Sequence, residues 1–274
     1  MIADDSRFVF VDGPTGRTIP VYVHRPDKVS ASAPIIMALH GISRRAEAIL
    51  DDWRLPAERH GLLLIVPHFT EEEFPGAGAY QLGNLFPESG AREPTSPELR
   101  SYAILDRIFE KVASSAASPR TNYSLYGHSA GSQFAHRLLL LQSTTRASLV
   151  VSANAGFYLL PDREEPWPTG LGGTGESIGD GDIARWLASP LVLLLGDHDL
   201  DDNFASTNPA AARQGANRLE RGRNYYERCK RYAGERSLPF AWSIEEVPGV
   251  GHDDAGMAPR AAEIIAEKMR AMPG

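Results

Sequence analysis

Tyr123-Ser124-Leu125-Tyr126-Gly127-His128-Ser129-Ala130-Gly131, running on into Gln133-Phe134-Ala135-His136-Arg137-Leu138-Leu139-Leu140-Leu141, is the stretch that decides the fold. A short apolar run, a tight turn and a leucine-rich run predict a strand, a sharp elbow and a buried helix. The turn is G-x-S-x-G, the pattern of a nucleophile elbow. In so tight a turn the serine takes a strained backbone conformation, and glycine on either side leaves room for the crossing chain. That strain lifts the Ser129 hydroxyl clear of the sheet, at the start of a helix whose free N–H groups can face a developing oxyanion.

A second G-x-S-x-G provides a control. Gly175-Glu176-Ser177-Ile178-Gly179 has no strand before it and no apolar helix after it, so it reads as a loop. The G-x-G-x-x-G from Gly170 to Gly175 fails as a dinucleotide fingerprint, because Pro166-Trp167-Pro168 stands where a strand should.

Working outward, Pro34-Ile35-Ile36-Met37-Ala38-Leu39, residues 62–67, residues 147–155 and Pro190-Leu191-Val192-Leu193-Leu194-Leu195 are continuous apolar runs, the composition of strands buried on both faces. Residues 7–11 and 18–24 alternate about a Gly/Pro turn and predict an antiparallel hairpin. Residues 240–247 predict a last strand. Helices are expected from Ala46, over 102–114, 183–188, 209–232 and 258–272, and a long surface loop over 68–96. Strands alternating with helices imply an α/β fold, a mostly parallel central sheet flanked by helices on both faces. No composition break marks a linker in the 274 residues, so a single domain over 1–274 is expected, with 157–189 as a short cap or lid insert.

A net charge of −7 spread along the chain argues against nucleic acid and anionic membrane as partners. Met1-Ile2-Ala3-Asp4-Asp5 has neither a basic nor an apolar leader region, no apolar run is long enough to span a bilayer, and Cys229 is the lone cysteine. The expectation is a cytoplasmic protein.

A serine nucleophile needs a base, and the base needs a carboxylate to fix its tautomer. After an elbow of this kind the chain order is Ser, acid, His. His252, in Gly249-Val250-Gly251-His252-Asp253 just past the last strand, is the expected base. Gly196-Asp197-His198-Asp199 offers two acids: Asp199 stands far enough along to curl back, and Asp197 is placed to cap the turn, so Asp199 is favoured. His128 is expected to point away from the site, and His40 to buttress its loop. The oxyanion hole is expected from the amides of Ala130 and of Ile42, which follows His40-Gly41. A zinc site drawn from Asp197-His198-Asp199 and His252-Asp253-Asp254 has no supporting H-E-x-x-H or cysteine spacing and leaves the elbow without a role, so no metal is expected.

The Leu39-His40-Gly41 turn, Gly127-His128-Ser129-Ala130-Gly131, Gly196-x-x-Asp199 and Gly251-His252-Asp253 together resemble the α/β-hydrolase superfamily. More narrowly, His40-Gly41-Ile42-Ser43-Arg44-Arg45-Ala46-Glu47 with Asp52-Trp53 resembles the polyhydroxybutyrate depolymerase and feruloyl-esterase-like branch. The resemblance implies a carboxylic-ester hydrolase acting on a small-molecule ester, with no cofactor; a serine peptidase or amidase with the same triad, and a non-catalytic ligand receptor on the same scaffold, are the alternative readings. Secreted polymer depolymerases of that group carry leaders, disulfides and binding modules that are not visible here, which argues against a polymer substrate, and an insert short and rich in Gly, Pro and charge rather than a greasy lid points to short or medium acyl esters or aryl esters. Phe157, Tyr158, Trp167 and Trp186 in the insert are the aromatics that could line a pocket, with Phe69 and Phe86 as further candidates.

Overall fold

In the computed structural model, which describes residues 5–27, 29–86, 93–201 and 208–271, the elbow strand lies inside an eight-stranded sheet. The strands are β1 (Asp5–Val11), β2 (Thr18–His24), β3 (Ile35–Leu39), β4 (Leu63–Pro67), β5 (Tyr123–His128), β6 (Ala147–Ala153), β7 (Leu191–Gly196) and β8 (Trp242–Val247). Their order across the sheet is β1-β2-β4-β3-β5-β6-β7-β8. β1 and β2 join as the antiparallel hairpin and β2 runs antiparallel to β4, whereas β3 through β8 pair in parallel. Strands β3, β4, β5 and β7 are buried at every position, which is why they read as unbroken apolar runs.

The helices are α1 (Ala46–His60), α2 (Gly76–Ala79), α3 (Ser101–Ser115), α4 (Ala130–Leu141), α5 (Asp180–Ala188), α6 (Pro209–Ala212), α7 (Arg218–Glu235) and α8 (Asp254–Ala271). α1 and α8 cover one face of the sheet, packing Trp53, Met257, Ala261 and Ile265 on Ile36, Leu64, Val151 and Leu194. The other face is closed by α3, α4, α5 and α7 through Ile108, Phe134, Leu138, Trp186 and Tyr225.

Four elements depart from the sequence expectation, one of them the last helix, which begins at Asp254 rather than 258. The helix expected over 209–232 is two: Ala212 ends α6, and Asn217 starts α7 afresh by accepting the Glu220 N–H at 2.9 Å. α5 begins at Asp180 rather than 183, because Asp182 reaches back to the Gly179 N–H and closes a capping box. The expected loop over 68–96 contains α2, and residues 87–92 of it lie outside the described residues. Among the described residues no helix is long and apolar enough to cross a membrane.

Candidate active site

β5 delivers Ser129 at its carboxyl end with φ 56° and ψ −113°, a conformation that costs a non-glycine residue on the order of 1–3 kcal/mol. The surrounding chain holds it there. The Ser129 N–H donates to the Ala153 carbonyl of β6 at 3.0 Å, and its own carbonyl accepts from Gln133 one turn into α4 at 3.1 Å. Neither flanking glycine could carry a side chain. A Cβ on Gly127 would sit 2.1 Å from the Gly131 oxygen, and one on Gly131 would sit 2.5 Å from the Leu39 oxygen of β3.

Two further strand ends converge on this serine. His252, between β8 and α8, places Nε2 3.0 Å from Ser129 Oγ and Nδ1 2.8 Å from Asp199 Oδ2. Asp199 follows the end of β7 and is 2% exposed. Its second oxygen accepts from Arg218 Nη1 at 3.3 Å, and the same nitrogen donates to the Asp201 carbonyl at 2.9 Å. Nδ1–H directed at a carboxylate leaves Nε2 as the lone-pair nitrogen facing the hydroxyl, the tautomer that proton abstraction from serine requires.

The loops after β7 and β8 are tied together beneath the triad. Asp197 Oδ1 accepts the Gly249 N–H at 2.7 Å, and the Val250 carbonyl accepts the His198 N–H at 3.0 Å. Asn154, at φ 50° after β6, accepts the Gly196 N–H on Oδ1 at 2.8 Å and donates Nδ2 to the Gly251 carbonyl at 3.1 Å. Asp197 and Asn154 thus act on backbone, not on His252.

The segment after β3 closes the other side. Built onto Gly41, a Cβ would stand 3.5 Å from Ser129 Cβ, so this loop passes directly over Ser129. Ile42, next in the chain, is 69% exposed, and Ala130 is the first residue of α4. The two amides expected to bind an oxyanion therefore sit on the two segments that flank Ser129. His40 is fully buried, accepts the Phe69 N–H on Nε2 at 3.1 Å and faces the Gly41 carbonyl through Nδ1 at 3.0 Å. Burial drives its pKa down to about 3, so it holds the loop as a neutral ring.

Other residues fall differently from expectation. His128 does not point away: its ring centroid lies 4.7 Å from that of His252. Burial, with His252 and Arg218 adding, takes its pKa to about 3. Tyr158 and Trp186 have no exposed surface with which to line a pocket. Tyr158 stacks on Tyr225 at 4.5 Å, and the Trp186 N–H donates to the His136 carbonyl at 3.1 Å, because the insert folds back as core. Phe157 is nearly buried against Arg137, and Phe69 is wholly buried. Trp167 and Phe86 are half-buried and meet edge to face at 6.0 Å. Ser177 ends a single 3₁₀ turn and donates to the Thr174 carbonyl, apart from any strand.

Solved structures resemble this chain over its length. Poly(aspartic acid) hydrolase-1 from Sphingomonas sp. KT-1 is 31% identical, with a TM-score of 0.90 covering 97% of this chain and 99% of that one. The poly(3-hydroxybutyrate) depolymerase LpqC from Bordetella parapertussis is 33% identical, with a TM-score of 0.89 covering 100% and 92%. The S-formylglutathione hydrolase FrmB from Staphylococcus aureus, 15% identical at a TM-score of 0.57 over 96% and 98%, shares the fold alone. No protein-family model matches the chain, and no curated protein sequence does.

Proposed function

Because this chain belongs to the α/β-hydrolase superfamily, in its polyhydroxybutyrate depolymerase-like branch, we propose that it is a serine hydrolase of carboxylic esters working through an acyl-enzyme. The observation that carries the proposal is the continuous hydrogen-bonded path from Asp199 through His252 to a serine held in a strained elbow.

In the proposed reaction the Ser129 oxygen attacks the ester carbonyl carbon as His252 Nε2 takes the hydroxyl proton. Asp199 stabilises the imidazolium, and the amides of Ala130 and Ile42 stabilise the oxyanion. The tetrahedral adduct collapses as His252 returns the proton to the departing alcohol, leaving an ester between Ser129 and the acyl group. Water, deprotonated by His252, attacks that ester, and the adduct breaks its bond to Ser129 as His252 returns the proton to the serine oxygen, releasing the acid. No cofactor takes part.

Short or medium acyl esters and aryl esters are the proposed substrates, met at a catalytic imidazole whose side chain is 31% exposed. Of the 157–189 insert expected as a cap, Tyr158 and α5 pack into the core, and Trp167, which meets Phe86 of the earlier loop, is the aromatic left partly exposed to a ligand. A cytosolic location and a single domain belong to the same proposal. A second reading, amide hydrolysis by the same groups, is favoured by one observation: a 31%-identical relative is a poly(aspartic acid) hydrolase.

The test is turnover of p-nitrophenyl acetate, butyrate and octanoate beside the matching anilides, with fluorophosphonate labelling of wild type and Ser129→Ala. Labelling that depends on Ser129, with esters far ahead of anilides, is expected. Turnover retained by Ser129→Ala rejects the proposal, and anilides equal to esters reassign it to the amidase.

A further inference from the structure

Arg44 lies two residues beyond Ile42 and has two unusual properties at once. Its backbone is left-handed, φ 56°, although it carries a long side chain, and that side chain is buried with only 9% of it exposed. The guanidinium spends its donors on backbone of one segment. Nη1 donates to the Phe69 carbonyl at 2.9 Å, and Nη2 donates to the carbonyls of Phe74 at 3.0 Å and Gly76 at 2.9 Å. Glu71 Oε2 lies 3.1 Å from Nη2, and the guanidinium carbon stands 4.2 Å from the centroid of the Tyr80 ring.

The same segment grips the other end of the loop. Tyr80 donates its hydroxyl to the His40 carbonyl at 2.7 Å, and the Phe69 N–H donates to His40 Nε2 at 3.1 Å. Between these anchors, the Arg44 N–H donates to the Gly41 carbonyl at 3.1 Å and closes the turn that contains Ile42. The turn over Ser129 is therefore clamped at residue 40 by Tyr80 and Phe69, and at residue 44 by a planar fork reaching three carbonyls.

We propose that Arg44 is a positioning residue of the oxyanion hole, fixing the 40–44 turn against residues 69–80 so that the Ile42 amide is held for the oxyanion formed at Ser129. The inference rests on the reading of Ser129 as nucleophile and Ile42 as donor. The guanidinium reaches the three carbonyls from two nitrogens fixed in one rigid plane, whereas an ammonium would have to reach them from a single atom at the end of a flexible stem. The backbone strain at Arg44 belongs with this role. Residues held in sparsely populated conformations gather where geometry serves function.

A residue that merely staples the 69–76 loop would affect stability and leave the chemical step alone, so the experiment separates the two. Arg44→Ala and Arg44→Lys are compared with Arg107→Met, which breaks an ion pair with the buried Asp12 next to the β1–β2 hairpin. Each is measured for Tm, and for kcat and KM on a p-nitrophenyl ester. The expected result is a kcat about 100-fold lower in Arg44→Ala and about tenfold lower in Arg44→Lys, with KM within about threefold of wild type. Arg107→Met should lower Tm and keep kcat. A folded Arg44→Ala whose kcat stays within about twofold of wild type overturns the proposal, as does a loss confined to KM. If Arg44→Ala does not fold, Arg44→Lys is judged by the same two criteria. Turnover retained by Ser129→Ala would instead reject the underlying reading of the site.

Discussion

Arg218 Nη1 stands 3.3 Å from Asp199 Oδ1, so the carboxylate that orients His252 is held at both oxygens, by an imidazole and by a guanidinium. A carboxylate as buried as Asp199 needs such compensation, because an ion removed from water without partners costs several kcal/mol. The cation also competes with His252 for the negative charge. Arg218→Met should loosen the acid more than it frees charge, giving about a tenfold loss in kcat/KM and a Tm about 5 °C lower. Steady-state kinetics and calorimetry check this. A higher kcat would show that the guanidinium restrains the triad.

Two aspartates two residues apart have separate tasks, and their amide variants should separate accordingly. Asp199 accepts from His252, whereas Asp197 accepts from the Gly249 backbone. Asp199→Asn presents an amide to Nδ1 and favours the wrong tautomer, an exchange that in a comparable triad costs about ten-thousand-fold in kcat. Asp197→Asn leaves an oxygen for the Gly249 N–H and should cost less than about tenfold. A larger loss in Asp197→Asn than in Asp199→Asn would reverse the assignment.

The meeting of Ser129, His252 and Asp199 was legible because strand ends follow chain order: an elbow first, an acid after the next-but-one strand, an imidazole after the last. The doubly buried strands were legible from their apolar runs. Contacts made across the fold were not. Arg218 reaches Asp199 from the start of α7, in a segment that reads as a charged solvent-facing helix. Nothing local in sequence announces that Asn154 braces two loops, or that Trp186 turns inward. The position of His128 was missed for a different reason: the elbow geometry fixes where the serine points, while its neighbour's ring meets His252, which arrives on the loop after β8.

His128 packs its ring 4.7 Å from the imidazole of His252, and its Nε2 is buried without a hydrogen-bond partner. A neutral flat wall beside His252 tolerates the imidazolium of the proposed reaction, whereas a void would let the ring tilt. Phenylalanine reproduces the wall and removes an unpaired polar atom. His128→Phe should keep kcat within about threefold and match or exceed the wild-type Tm, because an unsatisfied buried polar group costs about 1–3 kcal/mol. His128→Ala should lose about tenfold in kcat with KM little changed. Equal losses in both variants would mean that the nitrogen, not the ring face, is what the site uses.

Asp254 opens α8 two residues past His252, buried, with Oδ1 accepting the Tyr126 hydroxyl at 2.7 Å and with Asp52 and Asp253 close by. Burial raises its pKa to about 7 from an ordinary value of 3.8, the two neighbouring carboxylates add to the rise, and the Tyr126 hydroxyl opposes it. Asp52 is raised in the same direction, by burial first and then by Asp253 and Asp51. The folded chain therefore holds a proton that the unfolded chain releases at lower pH. The stability this contributes is complete below the unfolded value and is lost as pH rises through about 7, at a slope of up to about 1.4 kcal/mol per pH unit. Asp254→Asn keeps an acceptor for Tyr126 and carries no charge at any pH. Its Tm should fall less than that of wild type between pH 5 and 8, and it should be the more stable of the two at the upper end. Parallel Tm profiles for the two proteins would show that Asp254 is already ionised where the chain is most stable, and that the carboxylates around α8 are compensated by groups other than a shared proton.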